Sequence, residues 1–201
     1  MNEHKIIKSP DTLRANRIPP GQHETDALPV LDLGKGKPID LKDWSLELTG
    51  LVRTPLKLNF DDFSKLSRVK LFADTHCVTT WSKLSTTWEG VAAGTIAALA
   101  VPDPKAAFVL LHSFDGFTTN LSLADLLAED VIFALKYDDK PLPHHYGGPV
   151  RLIVPRLYFW KSAKWIAKVE FLEHDRKGYW EERGYHNHGD PWKEERHGSS
   201  R

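Results

Sequence analysis

Hydrophobic and polar residues alternate from Trp44: Trp44, Leu46 and Leu48 fall on one side of the chain, Ser45, Glu47 and Thr49 on the other, and Gly50 ends the run. A two-residue period predicts a half-buried strand. Leu56 and Leu58 continue the alternation. Asn59 then stands where a helix N-cap belongs, with Asp62 at the third helical position and Phe60, Phe63 and Leu66 at helical spacing, so a short helix follows. Val69 to Ala73 predicts a strand. The small-residue run from Val91 to Ala100, closed by Pro102 and Pro104, predicts a helix packed closely on its neighbours. Phe108 to Leu111 is a continuous apolar strand, Ser122 caps a helix carrying Leu123, Leu126 and Leu127, and Val131 to Tyr137 is a strand turned by Asp138-Asp139. From Trp165 to Leu172, Ala167, Val169 and Phe171 alternate with Lys168 and Glu170 in the last strong strand. Short helices among many strands, with no repeat and no second block of composition, predict one α+β domain of mixed and antiparallel sheets over residues 1–201.

The two ends differ from the middle. Residues 1–40 hold few large apolar side chains and many Pro, Gly, Arg and Asp, which predicts an extended or irregular N-terminal arm. Residues 174–201 are polar but retain Tyr179, Trp180, Tyr185 and Trp192, which predicts a tail that docks through its aromatic rings. A length of 201 residues at 41% hydrophobic content suits one well-buried domain. The 27 basic residues balance 27 acidic ones, and this zero net charge argues against a nucleic-acid partner. No apolar run approaches the roughly 18 residues needed to span a bilayer. Met1-Asn2-Glu3-His4-Lys5 lacks the apolar stretch of a secretion signal, so a cytoplasmic protein is expected.

Chemistry concentrates around Cys77, the one cysteine of the chain. A single thiol excludes an internal disulfide and leaves an inert buried residue, a nucleophile or a metal ligand. The cysteine falls where the strand from Val69 runs out through Asp74-Thr75-His76 into Thr79, Thr80, Ser82 and Lys83. Trp81 and Trp88 are placed to wall a pocket and Lys83 to favour a thiolate. A second stretch, Gly147-Gly148-Pro149-Val150-Arg151, leads through a Val/Ile/Leu strand to Lys161-Ser162-Ala163-Lys164, which offers an anion several donors at once. His186-x-His188 has no third ligand at a definite spacing, and no His-Glu-x-x-His exists, so a zinc or iron hydrolase is disfavoured.

The pattern Cys77-Val78-Thr79-Thr80-Trp81-Ser82 with Trp88-Glu89-Gly90 resembles the sulfite oxidase-like molybdopterin oxidoreductases, and among them the bacterial methionine sulfoxide reductase branch. The resemblance runs from about Asn16 to Trp192 and implies a single-domain sulfite oxidase-type molybdopterin-binding fold with molybdenum-molybdopterin as cofactor. It implies that Cys77 is a thiolate ligand to molybdenum, beside the two sulfurs of the pterin dithiolene. Soft sulfur suits a metal that changes oxidation state. It further implies cofactor contacts from Asn16, Arg17, His76, His112, Arg151, Lys161, Ser162 and Lys164, and catalytic or substrate-lining roles for Trp81, Lys83 and Asp115. Tyr146 stands where the reductase motif has Asn. Thr79 to Lys83 stands where the sulfite-oxidising branch carries arginines, which favours reduction of an S-oxide or N-oxide over a sulfite-type dehydrogenase or a non-catalytic molybdopterin-binding protein. With no motif for haem, flavin or nicotinamide in the chain, a separate flavin, haem or quinone-linked partner is expected to carry electrons.

Overall fold

The computed structural model describes residues 5–34 and 36–198. Met1 to His4, on which the secretion-signal reading partly rests, lie outside the described residues. In chain order the elements are β1 (Lys5–Lys8), β2 (His23–Glu24), β3 (Ser45–Gly50), β4 (Leu56–Asn59), α1 (Phe60–Ser64), β5 (Val69–His76), β6 (Trp81–Ala92) and α2 (Ala93–Ala100). They continue with β7 (Phe108–Ser113), β8 (Thr118–Ser122), α3 (Leu123–Leu126), β9 (Ile132–Tyr137), β10 (Lys140–Pro141), β11 (Arg151–Ile153) and β12 (Ile166–Leu172). Five short 3-10 turns punctuate these among the described residues.

The strands form two sheets. One runs β1-β5-β6-β9-β10, with β11 added on β9 and β2 on β6; the other runs β4-β3-β12-β7-β8. Parallel pairings occur at β1/β5, β2/β6 and β3/β12, and the remaining pairs are antiparallel. Side chains alternate across each strand, which divides the apolar residues between two layers. On β9 and β11, Phe133 and Leu152 join Trp44, Leu46, Leu48, Val109 and Phe171 in the core shared with the second sheet. Ile132, Ala134 and Ile153, from the opposite face, join Leu71, Ala73, Trp88 and Cys77. The cysteine thus belongs to the outer face of the larger sheet, where the N-terminal arm and the tail close over it.

Local chemistry accounts for the element ends. The Asn59 side chain accepts from the Asp62 N–H at 2.9 Å, and that of Ser122 accepts from the Asp125 N–H at 3.0 Å, each satisfying a donor that a helix start leaves free. Phe60 and Phe63 then meet Trp44 edge to face, 5.8 and 5.2 Å between ring centres. Gly90 sits at a bulge against β9; a Cβ there would lie 2.0 Å from the Phe133 carbonyl oxygen, so no side chain fits. The arm is more ordered than its composition implies. Ile7 turns inward and is buried, flanked by exposed neighbours, so Lys5–Lys8 adds to β5 as a parallel edge strand. The described residues between Thr25 and Trp44 are irregular, as their Pro and Gly content predicts.

Candidate active site

Strand β5 ends at His76, and Cys77 to Thr80 form a tight connection into β6: the Cys77 N–H donates to the Trp81 carbonyl at 2.9 Å and the Thr80 N–H to the Cys77 carbonyl at 3.0 Å. Two long-range donors fix this turn. Gln22 Nε2 donates to the Cys77 carbonyl at 3.0 Å and Arg196 Nη1 to the Val78 carbonyl at 2.7 Å, so arm and tail each hold one peptide. The Thr79 hydroxyl donates to Cys77 Sγ at 3.2 Å. Burial pushes the Cys77 thiol up, against the Thr79 hydroxyl, the amides of Thr79 and Val78, and Arg196, which pull it down. Such a thiol is a poor free nucleophile but suits a soft metal ion that displaces its proton.

Cys77 opens onto a cavity of about 310 Å³. Val78, Thr79 and Trp81 come from its own hairpin, Ser113, Asp115 and Phe117 from the β7–β8 turn, and Arg151 from β11. Phe159, Trp160 and Ser162 to Trp165 contribute a further wall, the arm segment around Leu28, Asp32 and Leu33 a strap, and Trp180 and Tyr185 of the tail the opposite edge. The aromatic rings brace one another. Trp81 meets Phe159 edge on at 6.1 Å, Trp160 meets Tyr185 at 5.2 Å, and Trp180 stacks on Tyr185 at 4.8 Å. Burial pushes the Tyr185 phenol up, and the charge of Cys77 adds to the shift.

Arg151 is the outstanding group in this wall. Only 1% of it is exposed, yet its hydrogen bonds go to carbonyls: Tyr146 at 2.8 Å, Ser162 at 2.7 Å and, at 3.5 Å, Leu152. Its guanidinium lies 4.2 Å from the Phe159 ring centre. No carboxylate pairs with it among the described residues, and burial lowers it to about 9, so it is a buried cation with its charge unbalanced. Lys164 stands nearby, donating to the His145 carbonyl at 2.9 Å and facing Asp32 at 3.4 Å. Burial and then the repulsion of Arg151 bring its ammonium down to about 8. Ser162 shapes the bend, its hydroxyl accepting from the Val154 N–H at 2.9 Å.

Of the residues expected at the site, Cys77, Trp81, Asp115, Arg151, Ser162 and Lys164 line this one cavity. The others are held elsewhere. Arg17 grips Asp74 with both arms of its fork and reaches Ser85 at 3.1 Å, and Asn16 caps the Ile18 N–H at 3.0 Å on the surface. His76 points to the far side of its strand: Nδ1 lies 2.8 Å from Ser82 Oγ and the ring meets Trp192. His112 faces Glu170 across β12 at 2.9 Å. Lys161 is wholly buried against Glu181, Asn120 and Asn187, and so has no donor left for an anion. Lys83 lies outside the cavity, and the groups that pull the Cys77 thiol down are Thr79, Val78 and Arg196 instead. Trp88 is buried outside the cavity lining, against Tyr137, with the Arg151 guanidinium 5.7 Å from its ring centre. His186 and His188 pair with Glu195, and His188 also with Asp125. Among the described residues, no group of three or more His, Cys, Asp or Glu is placed to hold a metal ion.

Residues 34–180 match the family described as the oxidoreductase molybdopterin binding domain. The chain belongs to this family. It is 42% identical over 184 residues to an uncharacterised oxidoreductase of Bacillus subtilis, covering 91% of this chain and 93% of the relative. It is 27% identical over 203 residues to the protein-methionine-sulfoxide reductase catalytic subunit of Campylobacter jejuni, covering 90% of this chain but 65% of the relative. Among solved structures, the sulfane dehydrogenase SoxCD of Paracoccus pantotrophus superposes with a TM-score of 0.64 at 18% identity, over 69% of this chain and 40% of that one. That likeness speaks for the fold: the single α+β domain is of the sulfite oxidase type.

The family's cofactor is molybdenum-molybdopterin, and the cavity fits it. An anionic group would balance the buried charge of Arg151. Trp81 Nε1, buried without a partner among the described residues, offers a further polar contact in the lining. Cys77 would supply the thiolate, and Arg151, Lys164 and Ser162 would hold the anionic end. When bound, the group supplies two-electron redox chemistry coupled to transfer of an oxygen atom.

Proposed function

We propose that this molybdopterin oxidoreductase reduces an S-oxide or N-oxide. The supporting observation is the distribution of charge in the cavity. Its charged lining residues are Asp32, Asp115, Arg151 and Lys164. The two cations sit by Ser162, where they serve the cofactor. What then remains for a substrate is a pair of carboxylates and the rings of Trp160, Trp165, Trp180 and Tyr185. Sulfite is a small anion that calls for fixed cations, whereas an oxide without net negative charge fits these walls.

The chain's own part is to bind, orient and dry the reactants. The Cys77 turn, tied by Gln22 and Arg196, fixes the sulfur ligand, and the aromatic edge holds the organic group while the oxide oxygen faces inward. Reduction takes up two electrons and two protons and releases the sulfide or amine with one water. A separate flavin, haem or quinone-linked partner delivers the electrons. The test is a pair of steady-state assays on molybdenum-loaded protein, methyl sulfoxide or amine oxide with reduced viologen, and sulfite with ferricyanide. Higher kcat/KM with the oxide is expected, and higher kcat/KM with sulfite would move the protein to the dehydrogenase branch.

A further inference from the structure

We propose that the mouth of the cavity selects substrates whose organic group carries a positive charge, with Asp115 as the residue that sets this preference. The inference rests on the oxide-reductase reading and narrows its substrate class. The starting point is what the acids do once the cations are engaged. Lys164 is the one cation within 4 Å of Asp32 among the described residues, and the charge of Asp115 acts on it as well. An anion seated on Arg151 and Lys164 takes up that compensation and leaves both carboxylates in the lining without it. Asp115 has one oxygen occupied by the Phe117 N–H at 3.0 Å, and no cation pairs with it among the described residues.

The surroundings suit a cation in a second, independent way. Trp180 and Tyr185 stack on one another at 4.8 Å and Trp160 meets Tyr185 edge to face, so this edge of the cavity is lined by aromatic rings. Ring faces attract ammonium groups, most strongly where water is excluded. Ser113 ends the strand that leads to Asp115, is 7% exposed, and its hydroxyl has no partner among the described residues. It is an acceptor in the same wall. Carboxylate, ring faces and free hydroxyl together describe a receptor for an amine-bearing oxide and repel an acidic one.

The binding test uses ligands that cannot be turned over. Tryptophan fluorescence of the molybdenum-loaded protein is titrated with choline and with its uncharged carbon isostere, dimethylbutanol. Choline is expected to bind about tenfold tighter, the combined size of one cation–π contact and one half-exposed ion pair. Asp115→Asn should cut that ratio to about threefold or less, and Asp115→Glu should restore it. Equal binding of the two ligands by the wild-type protein, or a ratio unmoved in Asp115→Asn, overturns the proposal. Turnover then separates the two readings: aminoethyl methyl sulfoxide should exceed ethyl methyl sulfoxide in kcat/KM by a similar factor. Choline preference with no oxide turnover would sink the reductase reading and leave the cation site standing. Equal turnover of both sulfoxides without choline preference would do the reverse.

Discussion

Lys161 Nζ lies 2.6 Å from Glu181 Oε1, and neither side chain has any exposed surface. The pair ties the tail to the wall of the cavity, because Glu181 also accepts from Trp160 Nε1 at 2.8 Å and Thr119 Oγ1 at 3.0 Å. Trp180 and Tyr185, on either side of Glu181 in sequence, are the tail residues that line the site. The cost of burying the ammonium, which lowers its pKa, is met by Glu181 and by the Asn120 and Asn187 oxygens.

Lys161 therefore acts on stability first. Removing one partner of a buried pair leaves the other charge unpaired, at about 3–5 kcal/mol. Lys161→Met should destabilise the apo-protein by that amount, read as a lowered thermal midpoint, and the double variant Lys161→Met with Glu181→Leu should recover part of it. A single variant as stable as wild type, with only cofactor content reduced, would return Lys161 to the role the sequence suggested.

Arg151 should behave in the opposite way. Its charge has no acid partner, so Arg151→Met relieves a buried cation while freeing carbonyls. The apo-protein should melt near the wild-type temperature. Cofactor affinity should fall about ten- to a hundred-fold, the size of one charge-assisted contact of about 1.5–3 kcal/mol. Molybdenum content after growth and purification, measured beside the apo melting curve, reads both quantities. Undiminished molybdenum would contradict the anion-binding role.

Lys164 gives a pH signature. Its folded pKa of about 8 lies below the ordinary 10.5, so between these values the unfolded chain binds more protons than the folded one. Apo stability carried by this group therefore rises with pH across that window. An anion on Lys164 favours the charged form, so cofactor affinity should fall as pH climbs through about 8. Comparing apo melting of wild type and Lys164→Met from neutral to alkaline pH isolates the first effect. A difference that stays flat, or grows in the variant's favour as pH rises, would contradict it.

The strands and caps were legible because each is a local matter. Trp44, Leu46 and Leu48 alternate and are buried, and Asn59 and Ser122 cap as their positions imply. Cys77 was legible as a strand-end thiol beside Trp81. Side-chain direction was not. His76 and Cys77 are neighbours, yet one faces Trp192 and the other the cavity, which only register and the turn at Thr80 decide. Arg17, His112 and Lys161 carry the right chemistry, but acids distant in sequence claim them: Asp74, Glu170 and Glu181. The strap from Leu28 to Leu33 and the ring of Tyr185 were missed for the same reason. Their signal, apolar and aromatic residues in otherwise polar ends, marked docking without showing where.

On this reading the Cys77 thiolate and the cavity above it would hold the molybdenum of this oxidoreductase. The most direct measurement is molybdenum-edge X-ray absorption on loaded wild type and on Cys77→Ser, with circular dichroism to show that both are folded. Serine is a poor replacement for a soft sulfur ligand. The variant should show one sulfur neighbour fewer around the metal, together with loss of oxide turnover. An unchanged sulfur shell, or turnover at the wild-type rate, would show that the metal is bound somewhere other than at Cys77.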